Sequence, residues 1–101
     1  MIERVVLIKL KDEFATDEGR IKFREQTLSA LKDLDPIQTL KVGIPADPAS
    51  EESWDIVILL RFDSIADVDI YVPHPDHRRY VDEILMPQTE CKKAWNFSLG
   101  D

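Results

Sequence analysis

The residues with the clearest capacity for chemistry lie in one short segment, YVPHPDH, at residues 71–77. It contains both histidines of the chain, His74 and His77, together with the phenol of Tyr71. A histidine exchanges its proton near neutral pH, because its ordinary pKa is about 6.5. A tyrosine hydroxyl can donate a hydrogen bond to an oxyanion. The segment therefore indicates proton-transfer chemistry with His77 as the base and Tyr71 as its hydrogen-bonding helper.

The same residues also have structural interpretations, and the sequence leaves both kinds open. His77 can hold a broken helix in place through a hydrogen bond to Tyr71 or to a backbone carbonyl. His74 stands between two prolines and can cap the helix that follows, while Tyr71 can pack on a sheet with its hydroxyl in water. Two histidines three residues apart lack the three or four ligands of a metal site, so we expect neither a metal nor a cofactor.

The elements that would position this segment follow from the hydrophobic periodicity of the chain. Thr16 can cap the first helix, Pro75 suits the first turn of the third, and Pro87 is expected to end that helix. Residues 45–53 are polar and contain proline, so they are expected to form one exposed loop. The periodicity predicts strands at residues 2–10, 37–44, 54–62 and 91–99, and helices at residues 16–33, 64–72 and 75–86.

This order of elements predicts an α+β, ferredoxin-like βαββαβ sandwich, with residues 1–101 as a single domain. One four-stranded sheet then has helices on one face only. The other face would carry Val5, Leu7, Val57 and Leu59, at a cost of roughly 25 cal/mol per Å² of exposed apolar surface. A second copy is the simplest cover, so we predict a homodimer with the two sheets packed face to face. A loop or an irregular register over this surface is the alternative.

Arg4 shares the helix-facing side of the first strand with apolar residues, so its charge needs a partner. It can extend to solvent, pair with an internal acid, or bind an anionic ligand. We expect the aromatic residues Trp54, Trp95 and Phe97 in the core or in a cavity wall, and Cys91 as a buried, inert thiol.

The composition limits the partners that this protein can have. Thirteen lysines and arginines against twenty acidic residues give a formal net charge of −7, which argues against nucleic acid and anionic membranes as main partners. The single cysteine cannot form an internal disulfide, as expected of a protein from the reducing cytosol. The longest interior apolar run, at residues 56–60, is too short to span a bilayer. We therefore expect a cytoplasmic protein.

Two motifs carry a resemblance to a known family. The opening MIERVVLIKLK has the form M-I-x-x-V-V-L-x-K-x-K, and residues 71–77 have the form Y-x-x-H-P-x-H. Together they resemble the stress-responsive dimeric α/β-barrel family, often called Dabb, over nearly the whole chain. The resemblance implies two ferredoxin-like subunits that pack their sheets into a barrel, each with a small cavity between its sheet and its helices.

The resemblance also implies roles for particular residues. One branch of the family looks like polyketide cyclases, in which a histidine on the first strand and the second histidine of H-P-x-H act in the cavity with tyrosines. His77 and Tyr71 match that pattern here. Arg4 stands where the first-strand histidine would be; it cannot act as a base, although it can bind a carboxylate or stabilise an enolate. Asn96 and Phe97 replace an Asp-aromatic pair common in the family.

Three functions fit these observations. The first is a dimeric, stress-response-type protein of unassigned activity, which binds a small, partly apolar ligand between sheet and helices with Arg4 and His74 as ligand contacts. The alternative is a small enzyme of the polyketide-cyclase-like type, which moves a proton on a carbonyl compound with His77 as base and Tyr71 and Arg4 as anion stabilisers. The third is a stress-linked structural protein whose useful property is its assembly.

Overall fold

Four antiparallel strands form the sheet. A computed structural model of the chain describes residues 1–100, and the strands found there lie in the order β2-β3-β1-β4. The first and third strands of the sequence are thus neighbours in the centre of the sheet, which is the order of the split βαβ unit. The predicted ferredoxin-like fold is confirmed. The strands are β1 (Ile2–Leu10), β2 (Thr39–Gly43), β3 (Ile56–Phe62) and β4 (Thr89–Ser98).

Five helices and one π-helical turn occur within the same residues. The first helix begins as predicted, because the Thr16 hydroxyl accepts a hydrogen bond of 2.9 Å from the Gly19 amide, which satisfies one of the free donors at a helix start. The helices are α1 (Asp17–Leu31), α2 (Pro48–Ser53), α3 (Ile65–Tyr71), α4 (Pro75–Tyr80) and α5 (Met86–Gln88), with the π-helical turn Val81–Leu85 between α4 and α5.

Two predictions about helices are wrong. Pro87 does not end the third helix, because the Met86 amide donates to the Val81 carbonyl five residues back and the helical path continues through the π-helical turn into α5. Pro87 thus lies in the first turn of a new segment, where its missing N–H is tolerated. Residues 45–53 are exposed as expected, but they contain α2. Asp47 caps this helix by accepting a hydrogen bond of 2.8 Å from the Ser50 amide.

The core lies between α1 and the helix-facing side of the sheet. Ile8 and Leu10 of β1 and Leu60 of β3 are almost completely buried, and Phe23 and Leu31 of α1 pack into the same cluster. Residues two apart along β1 and β3 are buried in turn, which confirms the predicted alternation. This alternation decides which side chains of β1 face the helices.

The opposite side of the sheet, here called the outer face, is largely apolar, and no layer of helices among residues 1–100 covers it. The register places Val5 of β1 between Trp95 of β4 and Leu59 of β3. Leu7 lies opposite Val57 in the next row. The outer face is defined by its apolar residues Val5, Leu7, Val57, Leu59, Trp95 and Phe97.

The expected positions of three residues on β4 are therefore wrong. Trp95 and Phe97 are 44% and 53% exposed on the outer face instead of packed in the core, and Cys91 is an exposed thiol, not a buried one. All three share one side of β4, and the helices lie against the other side of the sheet. Trp54 is half-buried beside the start of β3.

A buried ion pair joins α1 to the start of β3. The guanidinium of Arg20, which is 5% exposed, lies 3.0 Å from Oδ1 of Asp55, and Asp55 is 2% exposed. The Leu10 amide donates a hydrogen bond of 2.8 Å to the other carboxylate oxygen. Strand alternation predicted Asp55 on the outer face. It lies instead just before β3, where the carboxylate can turn inward and bind both α1 and β1.

We predict that Asp55→Ala lowers the free energy of unfolding by about 3–5 kcal/mol, because it leaves the Arg20 charge buried without its closest partner. Urea unfolding of the variant and the parent protein measures this difference. The control is Asp82→Asn, which removes an exposed pair with Arg78 at 3.8 Å and should cost less than about 1 kcal/mol. Equal losses in the two variants would contradict the role of the buried pair.

Candidate functional site

A small cavity lies between the sheet and the helical segment that follows β3. Its volume is about 40 Å³. Lys92 and Ala94, which are exposed on β4, form part of its wall, so the cavity opens toward that edge of the sheet. The structure thus brings Arg4, Tyr71 and His77 together, as the family resemblance implied. The residues that line the cavity are Arg4, Val6, Ile58, Leu60, Tyr71, His77, Tyr80, Val81, Leu85, Lys92 and Ala94.

The break between α3 and α4 positions His77. His74 is the N-cap of α4, and its Nδ1 accepts a hydrogen bond of 3.1 Å from the Asp76 amide, so the predicted capping role is confirmed. Pro75 follows as the first residue of α4, where a missing N–H costs nothing. Because α3 ends at Tyr71 and α4 begins only at Pro75, the Val72 carbonyl between them is free to accept a hydrogen bond of 2.8 Å from Nδ1 of the His77 ring. His74 does not line the cavity.

The bond to Val72 fixes the tautomer of His77. A carbonyl oxygen only accepts, so Nδ1 of the neutral ring carries the proton and Nε2 has the free lone pair. Nε2 has no hydrogen-bond partner within residues 1–100. The structural and the chemical interpretations of His77 are therefore compatible, because one ring nitrogen holds the helix break and the other remains available.

The surroundings of His77 favour the neutral ring. Burial lowers the pKa of His77, and the positive charges of Arg4, Arg78 and Lys92 lower it further, while the hydrogen bond to Val72 opposes them. The ring is thus a neutral acceptor at neutral pH, as a general base must be.

Two tyrosines stand beside the imidazole. The Tyr71 ring centroid lies 4.2 Å from that of His77 and 5.2 Å from that of Phe62. Burial raises the pKa of Tyr71 and of Tyr80, so both keep their hydroxyl protons. The Tyr80 hydroxyl lies 2.8 Å from the Thr27 hydroxyl, while Tyr71 has no hydrogen bond within residues 1–100 and its phenol is available to a ligand.

Arg4 is half-buried, and its partner is an uncharged amide. Its Nη1 donates a hydrogen bond of 3.0 Å to Oδ1 of Asn96, the residue directly opposite on β4. No carboxylate pairs with Arg4 in the described part of the chain, so of the three alternatives for Arg4 the pairing with an internal acid does not occur there. The guanidinium retains donors for a ligand.

Sequence reasoning missed Tyr80 and Lys92 as cavity residues. The periodicity marks Tyr80 only as an apolar helix position, but it follows His77 by three residues and so shares its helix face. Lys92 lies opposite Ile8 in the register, on the helix-facing side of β4. That register could not be read from the sequence, so nothing marked Lys92 as a cavity residue.

A second, larger depression of about 510 Å³ lies elsewhere, where the connection from β2 to β3 passes the end of the outer face. Leu7 and Val57 form its floor, and Trp54 and residues of α2 form its sides. It contains none of the residues that the sequence singled out for chemistry.

The lowered pKa of His77 predicts a pH dependence of stability. In the unfolded chain His77 has its ordinary pKa of about 6.5. At pH values between about 6.5 and the lower pKa of His77 in the folded protein, the unfolded state therefore binds more protons than the folded state. The free energy of unfolding should therefore fall as the pH is lowered through this window and recover as the pH rises above it. Urea unfolding across the window should show that His77→Gln removes this contribution. An unchanged pH profile in the variant would contradict it.

Comparisons with known proteins agree with this architecture. The family model for the Stress responsive A/B Barrel Domain matches residues 2–94. A curated relative, a stress-response A/B barrel domain-containing protein of Arabidopsis thaliana, is 32% identical over 87 residues, which are 86% of this chain and 32% of the relative. The chain therefore spans about a third of the length of this relative.

Solved structures show the same fold. A dimeric protein of unknown function with a ferredoxin-like fold, from Bacteroides fragilis, matches with a TM-score of 0.78 and 24% identity over 97% of this chain and 95% of that one. A Dabb family protein with a ferredoxin-like fold, from Mesorhizobium loti, matches with a TM-score of 0.80 and 19% identity over 96% and 94%. The family model covers nearly the whole sequence, and the curated relative has the same domain; this chain belongs to the Dabb family of stress-responsive A/B barrel domains.

Proposed function

We propose that this Dabb domain is a homodimer in which each protomer binds the carbonyl end of a small molecule in the cavity between sheet and helices. The observation that carries this proposal is that His77, whose Nε2 has no partner within residues 1–100, lines the same cavity as Arg4 and Tyr71. A carbonyl oxygen can accept hydrogen bonds from the Arg4 guanidinium and the Tyr71 phenol. The buried surroundings strengthen such bonds.

The size of the cavity limits how much of a ligand can enter. A volume of about 40 Å³ is close to the ~30 Å³ that one water molecule occupies in the liquid. Sites that enclose a drug-sized ligand measure roughly 300–1,000 Å³. The ligand therefore inserts one small polar group, and its apolar remainder lies outside, across Lys92 and Ala94 on the exposed edge strand. This refines the expectation of a ligand held wholly between sheet and helices.

The tautomer of His77 favours proton-transfer catalysis as a second candidate function. Nε2 can take a proton from the carbon next to the bound carbonyl; the electron pair of that C–H bond then forms a C=C bond, and the π electrons of the C=O bond move onto the carbonyl oxygen. The resulting enolate oxygen is stabilised by Arg4 and Tyr71. The Val72 carbonyl stabilises the imidazolium, because it accepts from Nδ1 throughout.

The homodimer is supported by the outer face. Its apolar residues have no cover within residues 1–100 apart from the neighbourhood of α2. The rim is charged: Arg61 and Glu3 form an ion pair of 2.8 Å at one end, and Lys93 lies opposite Leu7. An apolar centre with a charged rim is the usual anatomy of a protein interface. The dimeric neighbour from Bacteroides fragilis adds support.

A location in the reducing cytosol is part of this proposal. Cys91 is the single cysteine, and its thiol is exposed and unpaired in the structure, as cytosolic proteins tolerate. Within residues 1–100 no helix has the length and apolar character to cross a membrane.

We predict that Trp95→Glu converts the dimer to a monomer, because it places a charge within the apolar outer face that the dimer would bury. Sedimentation velocity at micromolar concentration measures the mass. The matched control is Ile70→Glu, which changes an exposed apolar residue on α3 and should leave the mass unchanged. A parent protein that sediments as a monomer at every concentration would disprove the homodimer.

Acetone is a suitable minimal probe of the cavity, because it is little more than a carbonyl group. We predict a saturable change in the NMR signals of the His77 ring on titration with acetone. Tyr71→Phe keeps the packing and removes one donor, so it should weaken binding several-fold, by about 1 kcal/mol. The control is Arg79→Gln. The Arg79 side chain lies outside the cavity and pairs with Asp76 at a distance of 3.4 Å. The absence of any saturable change would disprove the binding function.

The same probe tests the enzymatic candidate. In heavy water, proton abstraction by His77 followed by return of a deuteron labels the methyl groups of acetone, which NMR detects. A general base contributes about 10²–10⁴-fold, so His77→Gln should lower the protein-dependent rate by at least about a hundredfold. Exchange that is equally fast in the variant would exclude His77 as the base, even if acetone binds.

A further inference from the structure

The cavity is positively charged in a protein that is negatively charged overall. The chain has a formal net charge of −7. Even so, Arg4 and Lys92 line the cavity and no aspartate or glutamate among residues 1–100 does. Arg78, on α4, adds to the positive potential at His77, and its own partner, Asp82, is exposed and 3.8 Å away.

Arg4 and Arg20, the two arginines that face inward, differ in the number of carboxylates around them. Arg20 lies within 3.4 Å of three carboxylates, those of Asp17, Glu51 and Asp55. Arg4 has only the Asn96 amide in the described part of the chain. A guanidinium taken partly out of water without a counter-charge costs free energy. The site therefore lacks a negative charge beside Arg4, and a bound anion would supply one.

We propose that the cavity is a site for the carboxylate of a small acid, and that His77 takes up a proton from solvent when the carboxylate binds. This inference rests on the proposed function, because it uses the same cavity. The planar fork of the Arg4 guanidinium matches the two oxygens of a carboxylate. Lys92, at the mouth, adds a second positive charge.

The proton uptake follows from the groups that face His77. These are Arg4 from β1, Tyr71 from α3, Tyr80 and Arg78 from α4, and Lys92 from β4. None of them is negatively charged, since burial keeps both phenols protonated. A carboxylate would be the first negative charge beside the ring. It would offset the cations that lower the pKa of His77, and Nε2 would become a donor to it.

This coupling has two consequences. By linkage, acetate must bind more tightly as the pH falls through the window between the pKa of His77 in the free protein and that in the complex. A protonated Nε2 can no longer accept a proton from a ligand. A carboxylate in the cavity therefore also blocks any proton abstraction by His77.

The experiment compares acetate with acetone, which has nearly the same shape and no charge. NMR signals of the two histidine rings are followed against pH in sodium acetate and in sodium chloride at equal ionic strength, with His74 as an internal reference. We expect acetate to produce a saturable change at His77 only and to raise its pKa. Arg4→Gln should weaken acetate binding about tenfold or more, since it removes a hydrogen bond between charged groups. Lys92→Gln removes an exposed charge at the mouth and should weaken acetate binding several-fold.

Arg79→Gln makes the same change in net charge outside the cavity and should leave acetate binding unchanged. An equal loss in this control would show a general charge effect and overturn the site. Acetate binding without a change in the pKa of His77 would overturn the coupling. If acetone binds and acetate does not, the inference fails and the proposed function stands; if neither binds, both fail. Lys92 lies exposed on β4, so its variant remains informative even if Arg4→Gln does not fold.

Discussion

One layer of helices on a single four-stranded sheet is the constraint on which the rest of this structure depends. The strands alternate, so every strand sends half of its side chains away from the helices. In β1 this places Ile8 and Leu10 in the core and leaves Val5 and Leu7 on the outer face. The same alternation places Arg4 on the helix-facing side. The apolar outer face and the cavity are thus two results of one geometric rule.

Arg20 and Arg4 both carry a charge near the core, and the fold compensates the two charges differently. Asp55 compensates Arg20 and ties α1 to both central strands through the Leu10 amide. This pair is structural, because every group in it has a partner within the protein. Arg4 lies at the edge of the helical layer, where water reaches it past β4, so it can retain its charge with only the Asn96 amide beside it in the described structure. Incomplete compensation is possible because the site is open on one side, and it leaves the arginine available to a ligand.

The break between α3 and α4 determines the hydrogen bonding of His77. The prolines beside His74 prevent α3 and α4 from forming one continuous helix, and the break frees the Val72 carbonyl. That carbonyl then fixes the His77 tautomer, with the lone pair on Nε2. The structural and chemical roles of this histidine were alternatives when only the sequence was considered. In the structure the two interpretations are compatible, because Nδ1 bonds to the Val72 carbonyl while Nε2 has no partner within residues 1–100.

The order of the four strands, the helix-facing sides of β1 and β3, and the Thr16 and His74 caps could be predicted from the sequence, whereas the grouping of Arg4 with Tyr71 and His77 was implied by the family resemblance. The first three rest on local periodicity and on backbone preferences that a short segment shows. Only the tertiary structure decided the register of β4, which exposes Trp95 and brings Lys92 to the cavity. It also decided the pairing of Arg20 with Asp55, 35 residues apart. Contacts between distant segments depend on how the elements pack. The hydrophobic periodicity of one segment does not show which residues of another segment it will contact.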